Sequence, residues 1–214
     1  ESPNYLIKGI TEFNLLTGGK TILLACLCAG ISVIFCIMLH SFGKVFKTFS
    51  SNSYERVFFG GTVILCITLI LGTTRYSGTG IEVIASAIGG TARNSDFFWK
   101  MLFTAITLAC GYKGGEIIPS FFVGATFGCV IAPVLGLSSS LGAAIGMVSV
   151  FCGVTNCPIA SLLIALELFG KAPILYFLLA IAISYMLSGY YSLYKTQIIA
   201  VSKYKNEYVD KKTH

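Results

Sequence analysis

Cys110-Gly-Tyr-Lys-Gly-Gly-Glu-Ile-Ile-Pro119 runs straight into an apolar stretch, Ser120 to Leu137, and its reading decides the fold. The segment sets a Gly-Gly pair, one carboxylate and a proline at the mouth of a helix long enough to enter a membrane. Proline in a first helical turn costs nothing, because its missing N–H would be unpaired there anyway. The N–H groups of Glu116, Ile117 and Ile118 are then left without intrahelical partners. Free N–H groups at the positive end of a helix dipole make an anion site. Inside hydrocarbon, broken backbone of this kind is tolerated where it lines a binding site or pathway. The segment therefore points to a membrane protein that handles an anion.

Composition agrees with a membrane setting. Hydrophobic residues make up 55% of the 214 residues and charged residues 11%, and mean hydropathy is +0.82, whereas a soluble domain carries about 25% charge. Net charge is +6, with Lys203, Lys205, Lys211 and Lys212 crowded at the C-terminus. By the positive-inside rule residues 203–214 read as a basic cytoplasmic tail after a membrane unit spanning 1–202. No nucleic-acid motif accompanies the charge. The 8 cysteines lack CxxC spacing and partner histidines, so they read as small core residues rather than metal ligands or disulfides. The start at Glu1, with no initiator Met and no signal peptide, suggests part of a longer chain.

The apolar runs are Thr21–Leu39, Val57–Leu71, Ile81–Ile88, Phe97–Cys110, Ile117–Leu137, Leu141–Phe151, Pro158–Leu168 and Ala172–Leu187, with Tyr191–Val201 as an amphipathic last helix. A full crossing needs roughly 20 apolar residues, and several runs have about half that. Short segments interrupted by Gly and Pro signal discontinuous helices that meet within the membrane. Only Glu116 and Glu167 are charged between residues 114 and 170, which argues against a soluble core. The expected fold is all-α, polytopic, with tilted, discontinuous and short helices and no strand periodicity.

Among candidate site residues Glu116 is foremost. A carboxylate beside a helix N-terminus can be a plain cap, but at membrane depth it is a functional candidate. Burial and a bound anion favour its neutral acid, while the helix end favours its carboxylate. A neutral Glu116 would donate a hydrogen bond to the anion and an ionised one would repel it, so it is the candidate for coupling to protons. Glu167, near the C-terminus of the helix opened by Pro158, reads as structural and in need of a compensating partner. Tyr190, Tyr191 and Tyr194 suit an interfacial belt, although a phenol there can also donate one hydrogen bond into an anion site. There is no HExxH, GxSxG or Walker loop, so nothing points to an enzyme, a cofactor or a metal.

These segments resemble the CLC family of chloride channels and anion/proton antiporters, specifically its C-terminal transmembrane half. Arg75-Tyr-Ser-Gly-Thr-Gly-Ile-Glu82 resembles the turn before a short family helix. Gly115-Glu-Ile-Ile-Pro119 with Gly124-Ala-Thr-Phe-Gly128 is similar to the GxFxP anion-binding segment and the helix after it. Thr155-Asn-Cys-Pro158 through Glu167 looks like the xRAPLTxxxxxxE helix, and Tyr191-Ser192 matches the tyrosine that caps the central anion site. The resemblance implies a halide held by backbone amides of Glu116, Ile117 and Ile118, with the Tyr191 hydroxyl opposite. It also implies a homodimer with one pathway per subunit, whose interface draws on the helices around Pro158–Leu168 and Ala172–Leu187.

Glutamate at position 116 resembles the bacterial fluoride/proton antiporter branch, and Asn156 in place of the common arginine is tolerated there. Ile118 stands where that branch often has threonine. The reading is fluoride export by fluoride/proton antiport in a bacterial plasma membrane. A chloride/proton antiporter or chloride channel of the same fold is the alternative, and a non-transporting membrane scaffold a further one. The family's gating glutamate and first anion loop would lie upstream, in a missing N-terminal half. This chain alone is expected to hold half a pathway.

Overall fold

The computed structural model describes residues 5–10, 12–49, 52–194, 196–204 and 207–213. Its helices are α1 (Leu15–Phe49), α2 (Ser53–Leu71), α3 (Ile81–Ile88), α4 (Asp96–Ala109), α5 (Ile117–Ile131), α6 (Ser139–Thr155), α7 (Pro158–Phe169) and α8 (Ile174–Leu187). The chain is all-α apart from a short terminal hairpin.

Helix α1 begins where Asn14 and Thr17 cap each other reciprocally, at 2.8 and 2.9 Å. No proline or turn pair follows His40, so the helix runs on past the apolar stretch to Phe49. At 1.5 Å per residue its 35 residues span about 52 Å, well beyond a hydrocarbon core of about 30 Å, so a crossing α1 either tilts or carries its ends outside that core. Together α1, α2 and the segment Ile117–Leu135 are long and apolar enough to cross a membrane. The outer face of α2 is apolar, with Phe58, Leu65, Leu69 and Ile70 exposed.

The core is built around α6, in which every residue from Ser140 to Thr155 is buried. A helix apolar on all sides must be enclosed on all sides, and α5, α1, α8 and α7 surround it. Its closest neighbour is α5, through facing pairs Gly124/Gly128 and Gly142/Gly146. A Cβ on Gly128 would land on the carbonyl of Gly142, and one on Gly146 on the carbonyl of Gly124. Small residues at a spacing of four let the two backbones touch.

Two expectations are corrected. The run Ile117–Leu137 is not one helix: α5 gives way to a 3-10 turn at Ala132–Leu135, closed by Gly136 at φ +70°. Pro133 has no N–H to continue the α-helical ladder. The last helix, Tyr191–Val201, does not form. Its backbone is drawn instead to the C-terminal carbonyls of α6, which have no intrahelical donors. Leu193 N–H reaches Val154 O at 2.9 Å, Ser192 Oγ reaches the same oxygen at 3.2 Å, and Gln197 Nε2 reaches Thr155 O at 3.0 Å.

After that docking, β1 (Ile198–Val201) pairs antiparallel with β2 (Tyr208–Lys212), Ile198 opposite Lys212 and Val201 opposite Tyr208. The branched Ile198 and Ile199 suit an extended chain, and four residues are too few to display periodicity. Of the basic residues read as a tail, Lys203 is buried. Lys205 and the side chain of Lys211 lie outside the described residues.

Candidate functional site

Glu116 is the N-cap of α5, and its side chain makes no capping hydrogen bond. The first backbone bond of the helix is Ser120 N–H to Glu116 O, at 3.2 Å. No backbone acceptor serves the N–H groups of Ile117 and Ile118 among the described residues. Pro119 has no N–H to satisfy. The start of α5 therefore carries the free donors and the positive dipole end that an anion site requires.

The three residues at this start face different surroundings. Glu116 is half-buried and lines a cavity of about 250 Å³ with Leu39, His40, Gly43 and Lys47 of α1, Leu108 and Ala109, and Leu193. Ile118 and Pro119 line a second cavity of about 350 Å³, whose walls include Tyr76, Gly78, Lys100, Thr104 and Lys113. Ile117 is 40% exposed between them.

The second cavity has a rigid wall. Lys100 is buried and donates to the carbonyls of Tyr76, at 3.2 Å, and Gly78, with its ammonium 5.1 Å above the Phe122 ring. Asp96, fully buried, accepts from Arg75 at 2.9 Å, from the Tyr76 hydroxyl at 2.8 Å and from the Arg93 N–H at 3.1 Å. These contacts fix the loop before α3, and Gly80 lets it pass Phe122. Gly80 has φ +76°, and any Cβ there would strike that ring.

Tyr191 is half-buried against the core. Its carbonyl accepts from Asn156 Nδ2 at 2.8 Å and its N–H reaches Ser188 O at 3.3 Å. Tyr191 does not itself line the Glu116 cavity; Leu193, two residues on, does. The neighbouring tyrosines sit in other surroundings. The Tyr190 hydroxyl pairs with Ser202 Oγ at 3.0 Å, and Tyr194 is 41% exposed. Glu167 lies on the exposed face of α7, and no ion pair compensates it among the described residues.

Sequence reasoning passed over His40 and Lys47 as neighbours of Glu116. Both share the Glu116 cavity because α1 continues past residue 39. It also passed over Lys203, assigned to a tail. Asn156 stands where the resemblance expects arginine, and the Lys203 ammonium donates to its Oδ1.

The sequence profile of the Voltage gated chloride channel family matches residues 2–189. The chain belongs to that family. A "Chloride/fluoride channel protein" of Pseudomonas syringae pv. tomato (strain ATCC BAA-871 / DC3000) is 35% identical over 178 residues, covering 80% of this chain and 39% of that protein. A crystal structure of a CLC-type fluoride/proton antiporter superposes with a TM-score of 0.87 at 26% identity, covering 91% of this chain and 49% of that one. The chain thus spans less than half the length of either relative. It is a multi-pass membrane protein of a family of channels and transporters that carry halides.

Proposed function

We propose that this chain supplies the C-terminal half of a fluoride/proton antiporter that exports fluoride across a bacterial plasma membrane, with its C-terminus cytoplasmic. The observation that carries this reading is Glu116 at the head of α5. It combines unbonded Ile117 and Ile118 amides with a carboxyl that opens on a cavity shared with α1. Fluoride is small, strongly hydrated and a strong hydrogen-bond acceptor. A protonated Glu116 offers it a donor in addition to the amides, and ionisation of the same group expels it. Proton and anion are thereby coupled through one side chain. Tyr191 is assigned the opposite cap from the family resemblance of Tyr191-Ser192.

The upstream half of the pathway would complete the pore, and two such units would form a homodimer. The apolar side chains of Ile159 and Leu163 on α7 and Leu175 and Leu178 on α8 are exposed and available for that contact. Ile118 is the observation that favours a chloride-carrying relative, because it brings no hydroxyl to the site. The test is Glu116→Gln in the complete transporter, which keeps a neutral donor. Fluoride binding should persist while its pH dependence and fluoride-driven proton movement fall. Unchanged pH dependence would remove Glu116 from the coupling role.

A further inference from the structure

Lys203 is 9% exposed although it belongs to the most basic segment of the chain. Its ammonium donates to Asn156 Oδ1, to Tyr185 O at 2.7 Å and to Ser188 Oγ at 3.2 Å, and stands 4.2 Å above the Tyr185 ring. Tyr185 and Ser188 end α8, and Asn156 caps α6 in the left-handed conformation, at φ 57°. One cation thus serves the negative ends of two helix dipoles. The Asn156 side chain is engaged at both ends. Its oxygen takes the ammonium, and its Nδ2 donates to Tyr191 O at 2.8 Å. The amide cannot turn to satisfy one partner without losing the other. Ser192 and Gln197 fasten the same stretch to the α6 carbonyls, and the Asn156 bond grips Tyr191 itself from the α6 cap.

We propose that Lys203 is a positioning residue for the Tyr191 end of the anion site, holding it through the side chain of Asn156. This rests on the reading of Tyr191 as an anion ligand. The hairpin is then not a passive tail: it delivers the charge that orients Asn156 and, through it, the backbone that carries the phenol.

The experiment is a double-mutant cycle. Binding of sodium fluoride and sodium chloride is titrated calorimetrically at neutral pH on the complete transporter, with Lys203→Met made in the wild-type and Tyr191→Phe backgrounds. Lys203→Met should weaken binding roughly three- to ten-fold in the wild type, within the worth of one hydrogen bond, and by less than about two-fold once the phenol is gone. Lys203→Arg should restore most of the loss. Asn156→Gly, which keeps the left-handed cap and deletes the amide, should match Lys203→Met and add little to it; it carries the test if Lys203→Met does not assemble. Equal losses in both backgrounds, or no loss in the wild type, would overturn the proposal while leaving the site intact. Absence of saturable halide binding in the wild type would overturn the functional reading and this inference with it.

Discussion

At the scale of single residues, the account turns on which groups can donate to an anion. If Tyr191 caps the site, Tyr191→Phe should weaken halide binding by about 0.5–1.5 kcal/mol, the usual worth of one hydrogen bond. Tyr190→Phe and Tyr194→Phe should leave it unchanged. Calorimetric titration of the three variants checks the register, and a loss at Tyr190 instead would move the ligand by one residue. The place of Glu116 at the head of α5 was legible from sequence, because the Gly-Gly pair and Pro119 punctuate the helix start. Its neighbours were not. His40 and Lys47 reach its cavity only through the three-dimensional course of α1, and no local pattern joins residue 40 to residue 116.

At the scale of elements, the contact between α5 and α6 depends on the absence of side chains. Gly128→Val would force a side chain into the Gly142 carbonyl and should cost at least the roughly 1–3 kcal/mol of overpacking, read as a lower melting temperature in detergent. Gly30 in α1 has nothing within 4 Å of a prospective Cβ. Gly30→Ala should therefore be neutral or stabilise by up to about 1 kcal/mol through helix propensity. Equal damage at both positions would contradict the packing account.

The terminal hairpin makes a prediction about pH. Burial pushes the Lys203 amine down from the ordinary lysine value of 10.5 to about 8. Between pH 8 and 10.5 the unfolded chain then holds a proton that the folded chain has shed. Stability contributed by this group therefore rises with pH across that window. The melting temperature of the wild type relative to Lys203→Met should rise from pH 7.5 to pH 10 in thermal melts. A falling difference would mean that the three acceptors around the ammonium outweigh burial.

Helix boundaries were readable at Gly80 and Pro158, and α3 begins and ends where its apolar run does, whereas the local break at Pro133 was passed over. They were misread where tertiary demand prevailed. The unfilled carbonyls at the end of α6 claim the stretch after Tyr191, and that claim overrides its amphipathic pattern.

At the scale of the whole molecule, the membership rests on a match to most of the chain, while the chain spans less than half the length of either relative. An anion site at the head of α5 needs a facing wall, and the cavities at Glu116 and Ile118 lie on either side of that head. The proposed upstream half and the dimer contact across α7 and α8 would enclose it. The measurement that tests the central claim most directly is halide efflux from liposomes holding the complete transporter, with fluoride and chloride compared and proton flux recorded together. The account predicts fluoride efflux coupled to opposing proton movement, with chloride nearly excluded. Chloride flux equal to or faster than fluoride, with no proton movement tied to fluoride, would contradict it and leave Glu116 as the cap of a chloride pathway.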